Sequence, residues 1–509
     1  MKNSHQLSPS RLLVVLGLTV ILGASVAFWV LSVLAQTSSE AARTWFAPYV
    51  DVTLTPTLHF EDRAEQPALD VVLGFVVADP SSSCSPSWGT YYSLDAAARA
   101  LDLDRRIVHL RERGGDAIVS FGGAFNDELA TVCTTDEQLV AAYQQVIDRY
   151  DLGVLDFDIE GAAIANVEAN MRRARAIAQL QANNPGLRVW FTLPVAPHGL
   201  TPEAVTLIDG LLSSGVDLTG VNVMTMNYAE SRSPSTTMHE ANLSALHATF
   251  QQLEGAYERA GTPLLQEDLW HRIGATPMIG QNDVPTDVFQ LSDARELVQF
   301  AASVELGRLS FWSANRDIAC GASTDDVRVS NTCSSVSQEP LAFSSIFSMG
   351  APNSRADISG DETVAKAEEP IPGRDDPLTS PYPLWRTAKA YEQGSKVVWQ
   401  RRVYEAKWWT QGDQPDAPVK NTWETPWRYL GPVLESDREA VRADTPAAGG
   451  ERPNWSGEKV YIAGDEVQLG GEAFRAKWWT QGDRPDEDPD QPYDHPWEYL
   501  GEQEEPEKD

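Results

Sequence analysis

A chain of 509 residues, 42% of them hydrophobic, is long enough for a large core and for further modules besides. Its formal net charge of −33 argues against nucleic acid and anionic bilayer surfaces as partners, because a polyanion is repelled, and favours a neutral substrate. The cations are unevenly spread: no Lys occurs between Lys2 and Lys366, so Arg carries the positive charge of that stretch.

After Lys2, His5 and Arg11, an uncharged run begins at Leu12 and ends at Ala35. It is long enough to span a bilayer, while Val33-Leu34-Ala35 has the small residues that a signal peptidase reads. Residues 1–40 are therefore read as a signal peptide or a membrane anchor, and in either case the positive charges ahead of the run send the remainder out of the cytoplasm. The four cysteines, Cys84, Cys133, Cys320 and Cys333, are an even number, which suits two disulfides in an oxidising compartment. Of the three pairings, Cys84 with Cys133 and Cys320 with Cys333 is favoured, the second closing a short loop. Without CxxC or clustered His, no metal or cofactor is expected.

From residue 41 to 350 short apolar runs alternate with longer helical-period segments. The strand candidates are "FAPYVDV" (46–52), "VVLGFVVA" (71–78), "AIVSFGG" (117–123), "GVLDFDIE" (153–160), "RVWFTLPV" (188–195), "GVNVMTMNY" (220–228), "ATPMIG" (275–280) and "RLSFW" (308–312). Between them, residues 136–149 and 167–181 place apolar side chains three and four apart, as an amphipathic helix does. Eight βα repeats in this length predict an α/β fold, a TIM (β/α)8 barrel with a parallel sheet covered on both faces.

The fourth run holds the main chemical signal. Successive side chains of a strand alternate faces, so Asp156, Asp158 and Glu160 share one face while Leu155, Phe157 and Ile159 share the other. In a barrel strand the acids climb the interior toward the C-terminal mouth, where barrel enzymes place their chemistry. Ionised groups left unpaired there would cost several kcal/mol each, so a chemical use for them is expected.

Residues 351–383 are rich in Pro, Asp, Glu and Ser and read as a linker. An internal repeat follows at a constant offset of 70: "YEAKWWTQGDQPD" from Tyr404 matches "FRAKWWTQGDRPD" from Phe474, and "PWRYLG" from Pro426 matches "PWEYLG" from Pro496. It predicts two small all-β modules, 384–432 and 454–502, joined by a linker at 433–453 and followed by an acidic tail at 503–509, as beads on a string. In Trp408-Trp409 and Trp478-Trp479, read as strand residues, one indole packs inward and the other faces solvent, suited to stacking on a pyranose ring. Trp427 and Trp497 complete the aromatic set of the modules. Two tethered sites favour a repetitive polymer as ligand.

These motifs resemble those of family 18 glycoside hydrolases, the chitinases, over about residues 45–350. "SFGG" (Ser120 to Gly123) is similar to the motif that ends strand three, and "DFDIE" to the DxDxE signature of strand four. "MTMNY" resembles the strand-six motif, "PMIGQND" strand seven of the bacterial branch, and "FWSANRD" the strand-eight segment. The tail modules are similar to type-3 chitin-binding modules, whose "AKWWTxG" occurs twice. The resemblance implies substrate-assisted, retaining hydrolysis, with the substrate's acetamido oxygen as nucleophile. Glu160 would be the general acid and base, its pKa raised by Asp158. Asp158 would orient the acetamido group and share a proton with Asp156, Tyr228 would bond the acetamido carbonyl, and Trp312 would form the floor under the sugar. Asn227, Met226, Gln281, Asn282 and Trp88 are further candidates for substrate contact. Ser120, Gly122 and Gly123 are expected chiefly to let backbone pack close to the acids.

Two positions depart from the family pattern: Gly153 stands where the longer signature has Asp, and Asn227 where strand six commonly has Asp. The resemblance makes chitin or N-acetylglucosamine oligosaccharides the partner, with the chain acting as a monomer. The alternatives are a non-catalytic chitin lectin or adhesin, and an endo-β-N-acetylglucosaminidase acting on N-glycans.

Overall fold

The computed structural model describes residues 44–321, 329–351, 375, 380–437, 452–457, 459–461, 465–477, 480–486 and 496–502. The run from Leu12 to Ala35 lies outside them. Among the described residues no helix is long and apolar enough to cross a membrane.

The parallel strands are β1 (Trp45–Phe46), β2 (Tyr49–Asp51), β3 (Val71–Asp79), β4 (Ala117–Gly122), β5 (Val154–Asp158), β6 (Arg188–Ala196), β7 (Leu218–Met224), β8 (Ile273–Ala275) and β9 (Arg308–Leu309). They pair in sequence from β3 to β9. The first segment pairs on one side with β9 through Trp45–Phe46 and on the other with β3 through Tyr49–Asp51. Seven of the eight runs expected to be strands are strands at their expected places. The seventh sits earlier than "ATPMIG": β8 ends at Ala275, and Gly280–Gln281 pairs antiparallel with Val288–Phe289 instead.

Leu155, Phe157 and Ile159 are buried between sheet and helices, as the alternation requires. Phe121, Phe157 and Phe191 from β4, β5 and β6 stack at 5.2 Å spacing, and Tyr143 packs edge-on against the first two. Burial of each such ring contributes about 1.5–3 kcal/mol. Tyr143 lies on a helix, Asp136–Tyr150, that starts where Thr135 caps the Gln138 N–H, carries Asp136 and Glu137 in its first turn, and ends at Asp151 in the left-handed region. The other face of the sheet buries Trp45, Ala47, Tyr49, Val72, Ile118, Val154 and Trp190, with Phe75 and Trp312 packed against them. The disulfides are Cys84–Cys133 and Cys320–Cys333, the favoured pairing.

The two tail copies have one topology. The first is a three-stranded antiparallel sheet, β10 (Lys396–Trp399), β11 (Arg402–Ala406) and β12 (Trp427–Pro432), and the second repeats it as β13 (Glu466–Leu469), β14 (Glu472–Ala476) and β15 (Trp497–Glu502). Trp427 and Trp497 are core residues of these units, 3% and 4% exposed, and each donates its indole N–H to a backbone carbonyl, of Asp413 or Asp483, at 2.8 Å. Trp408 and Trp409 both face solvent. They lie in the bend after β11 and not on a strand, so the expected alternation does not apply to them. Trp478 and Trp479 lie outside the described residues.

The first copy is also not the free bead that the repeat predicts. It packs along α1 (Leu103–Glu112), where Asp102, just ahead of the helix, accepts from Tyr382 (2.8 Å), Lys396 (2.6 Å) and Arg105 (2.7 Å). Arg105 in turn binds both carboxylate oxygens of Asp437 (2.8 and 3.1 Å) and the Pro432 carbonyl (2.9 Å). Tyr429 donates to Glu112 (3.0 Å), and Arg428 pairs with Glu65. Asp102 and Arg105 are almost fully buried, and charges so placed are held only if their partners stay.

Candidate active site

The three acids of β5 and the residues after it differ in environment. Asp156 is fully buried and accepts from four donors: Tyr49 (2.7 Å), Ser120 (2.7 Å), Thr192 (2.8 Å) and the Arg308 guanidinium (2.6 Å). Arg308 itself lies among the rings of Trp45, Tyr49 and Trp190, 5.2–5.6 Å from their centroids. The expected proton shared between Asp156 and Asp158 is not what the geometry presents, because Asp156 has its oxygens filled by these donors.

Asp158 is buried, and its Oδ1 has no hydrogen-bond partner among the described residues. Burial, then the charges of Glu160 and Asp156, push its carboxyl well above the usual range, with Arg308 opposing. Glu160 follows the strand and is partly exposed. Burial first and the charge of Asp283 second raise its pKa to about 7. Desolvation leads and Asp283 adds a like charge, while the repulsion expected between Asp158 and Glu160 is present and raises the Asp158 carboxyl.

Asp283 belongs to the segment after β8, which several of the named candidates hold in shape. Asn227, at φ +53, donates to Asp283 (2.9 Å), and its side-chain oxygen accepts from the Val284 N–H (3.2 Å). Gln281 and Asn282 are buried and spend their amide N–H groups on backbone carbonyls, Asn282 on Met278 (2.8 Å) and Gly280 (3.1 Å). Of their two readings, sugar contact or loop cap, they cap the loop.

Gly122 and Gly123 follow the expectation of close backbone approach. A Cβ on Gly122 would lie 2.2 Å from the Asp158 carbonyl oxygen, and one on Gly123 2.9 Å from the Phe75 ring; both backbones are in the left-handed region. Ser120 does more than pack, since it bonds Asp156 directly. Trp312 is half-buried and stacks on Phe75, 5.5 Å between centroids, so aromatic surface lies beside the acids. Met226 is partly exposed just past β7.

Two candidates stand elsewhere. Trp88 is fully buried, its indole N–H on the Tyr150 hydroxyl (2.9 Å), so it is neither a subsite wall nor an exposed loop residue. Tyr228 is 4% exposed in the main core. With the Asn242 amide oriented so that its nitrogen meets three acceptors, it donates to the Tyr228 hydroxyl (2.8 Å) and to the Met238 (3.0 Å) and Thr225 (3.2 Å) carbonyls. Among the described residues no group of three or more His, Cys, Asp or Glu could hold a metal ion.

The chain is 36% identical over 287 residues to a probable bifunctional chitinase/lysozyme of Escherichia coli K12, and 35% identical over 285 residues to endochitinase 11 of Metarhizium anisopliae. Each match covers 54% of this chain but only 31% and 52% of those proteins, so the chain spans about a third and about half of the two curated relatives. The catalytic domain of the hyperthermophilic chitinase of Pyrococcus furiosus superposes with a TM-score of 0.53 at 31% identity, covering 61% of this chain and 95% of that structure. Residues 454–498 match carbohydrate-binding module family 5/12. With the DxDxE strand inside a sheet of this topology, the chain belongs to the family 18 glycoside hydrolases, with a chitinase-like catalytic domain and a family 5/12 carbohydrate-binding module.

Proposed function

We propose that the protein is an exported chitinase that hydrolyses β-1,4-N-acetylglucosamine linkages with retention of configuration, Glu160 acting as general acid and base. The observation that carries this reading is the acid series itself: an Asp156 satisfied within the chain, a buried Asp158 with an unpaired oxygen, and a Glu160 whose pKa near 7 keeps much of it protonated at neutral pH. Glu160 gives its proton to the glycosidic oxygen as the bond to the anomeric carbon breaks. The acetamido carbonyl oxygen of the same sugar bonds to that carbon and forms an oxazolinium ion. Asp158 accepts a hydrogen bond from the acetamido N–H and balances the cation. Glu160, now ionised, takes a proton from water, whose oxygen opens the ring and leaves the original configuration. Trp312 lies under the ring.

Both tail copies serve as chitin-binding modules in this reading, since the first repeats the signature of the matched second. "PMIGQND" aligns the domain with the bacterial branch. Export follows from the N-terminal run, as a cleaved signal or a retained anchor. A first residue of Gln36 in the exported protein would mean cleavage.

Glu160→Gln decides the catalytic claim. Release of soluble chitooligosaccharides should fall to background in the variant; equal release from both proteins would sink the assignment.

A further inference from the structure

The two tail copies share their cores and tandem tryptophans but not the face that the first copy turns to the barrel. In the first copy Lys396, Glu405 and Arg428 lie side by side across β10, β11 and β12, a row of cation, anion, cation. At the offset of 70 the second copy has Glu466, Arg475 and Glu498 in the same registers, a row of anion, cation, anion. Each row is complementary within itself. Arg428 lies 3.5 Å from Glu405, and Arg475 lies 2.7 Å from Glu466 and 3.6 Å from Glu498. The fold of the unit therefore accepts either sign, and something outside the unit must set it.

For the first copy that outside partner is visible. Lys396 donates to the buried Asp102, Arg428 pairs with Glu65, and the whole row lines a cleft shared with Leu58, Asp102 and Arg106 of the barrel. In the same pose the second copy would set Glu466 against Asp102 and Glu498 against Glu65. Like charges brought together at a desolvated contact exclude a wrong partner.

We propose that the barrel selects the first copy by the sign of this row and holds it as a fixed wing for an insoluble polymer of β-linked N-acetylated hexosamine. Its exposed indoles, Trp408, Trp409 and Trp423, are 44%, 60% and 71% exposed, and they meet that polymer in a set orientation to the acid strand. A tether only raises local concentration, whereas a fixed wing also aligns the polymer with the site. The orienting role rests on the proposed hydrolysis; the docking itself does not.

The test is the triple substitution K396E/E405R/R428E in the full chain, which writes the second copy's row onto the first. That row already suits this fold in the second copy. Small-angle scattering and limited proteolysis read docking without reference to activity. Release is expected, seen as a larger radius of gyration and new cleavage close to Ser380; a variant that stays docked overturns selection by charge. In the released variant, binding to chitin beads and turnover of soluble oligomers should stay within about twofold of the parent, while product release from crystalline chitin falls about fivefold or more. Parental rates on crystalline chitin from a released variant overturn the orienting role. Adding E65R restores one ion pair with reversed polarity and should recover docking in part; no recovery would mean that the row acts through the unit's own folding, which also overturns the proposal. If the parent turns over no soluble oligomer, the proposed hydrolysis fails while the docking result stands.

Discussion

Arg308 meets Asp156 at 2.6 Å on one face of the parallel sheet, with both side chains wholly buried. The pair joins β9 to β5 and gives the deepest acid its countercharge. Arg308→Ala leaves that carboxylate without its countercharge and should lower stability by about 3–5 kcal/mol, read from urea unfolding. Arg308→Met combined with Asp156→Asn should recover most of the loss. A small effect of the single change would show that the other three donors suffice.

The role proposed for Glu160 sets a pH dependence for catalysis. The acid works while protonated, so kcat/KM on soluble oligomers should fall as pH rises through about 7. Asp283→Asn removes a negative charge beside it and should move this alkaline limb to lower pH, because the protonated form loses support. Burial still raises the group, so the limb should not return to an ordinary glutamate value. An unmoved limb would remove Asp283 from the account.

Stability in acid should report Glu61. Burial alone would raise its pKa, but Arg106 (2.9 Å) and the hydrogen bond with His59 (2.9 Å) outweigh burial and hold it at about 2. A carboxyl depressed on folding contributes stability that is fully present above its unfolded pKa and is lost as pH falls through the folded one. The shift from 4.5 to about 2 corresponds to about 3 kcal/mol, lost between those values. In Arg106→Met this acid-dependent part of the unfolding free energy should disappear, and pH titration of the denaturant midpoint measures it.

Trp88 and Trp312 should separate cleanly. Trp88→Ala empties a fully buried site and should cost about 3–5 kcal/mol of stability while KM for oligomers is unchanged. Trp312→Ala should leave stability nearer the parent and impair turnover. A raised KM in Trp88→Ala would restore it as a subsite residue.

The sheet order and the inward face of β5 were legible because they depend on local periodicity: Leu155, Phe157 and Ile159 against Asp156, Asp158 and Glu160. What fills the interior was not. Arg308 and Tyr49 lie 152 and 107 residues from Asp156 along the chain and meet it only through strand pairing. Asp283 stood inside a quoted motif, yet its effect on Glu160 depends on a loop folded by Gln281, Asn282 and Asn227. Exposure of aromatics was equally hidden, since Trp88 and Trp427 are buried while Trp408 and Trp409 both face out. Alternation predicts facing on strands and says nothing in a bend. The sign of the row at Lys396, Glu405 and Arg428 was present in the repeat, but only the docked α1 gives it a meaning.

That docking also changes where the enzyme can be cut. A truncation ending near Gly350 would strip Asp102 of Lys396 and Tyr382 and Arg105 of Asp437, so loss of activity in such a fragment would report damaged packing as readily as missing polymer capture. Ending the chain after Asp437 keeps every one of those bonds and isolates the contribution of the remaining copy.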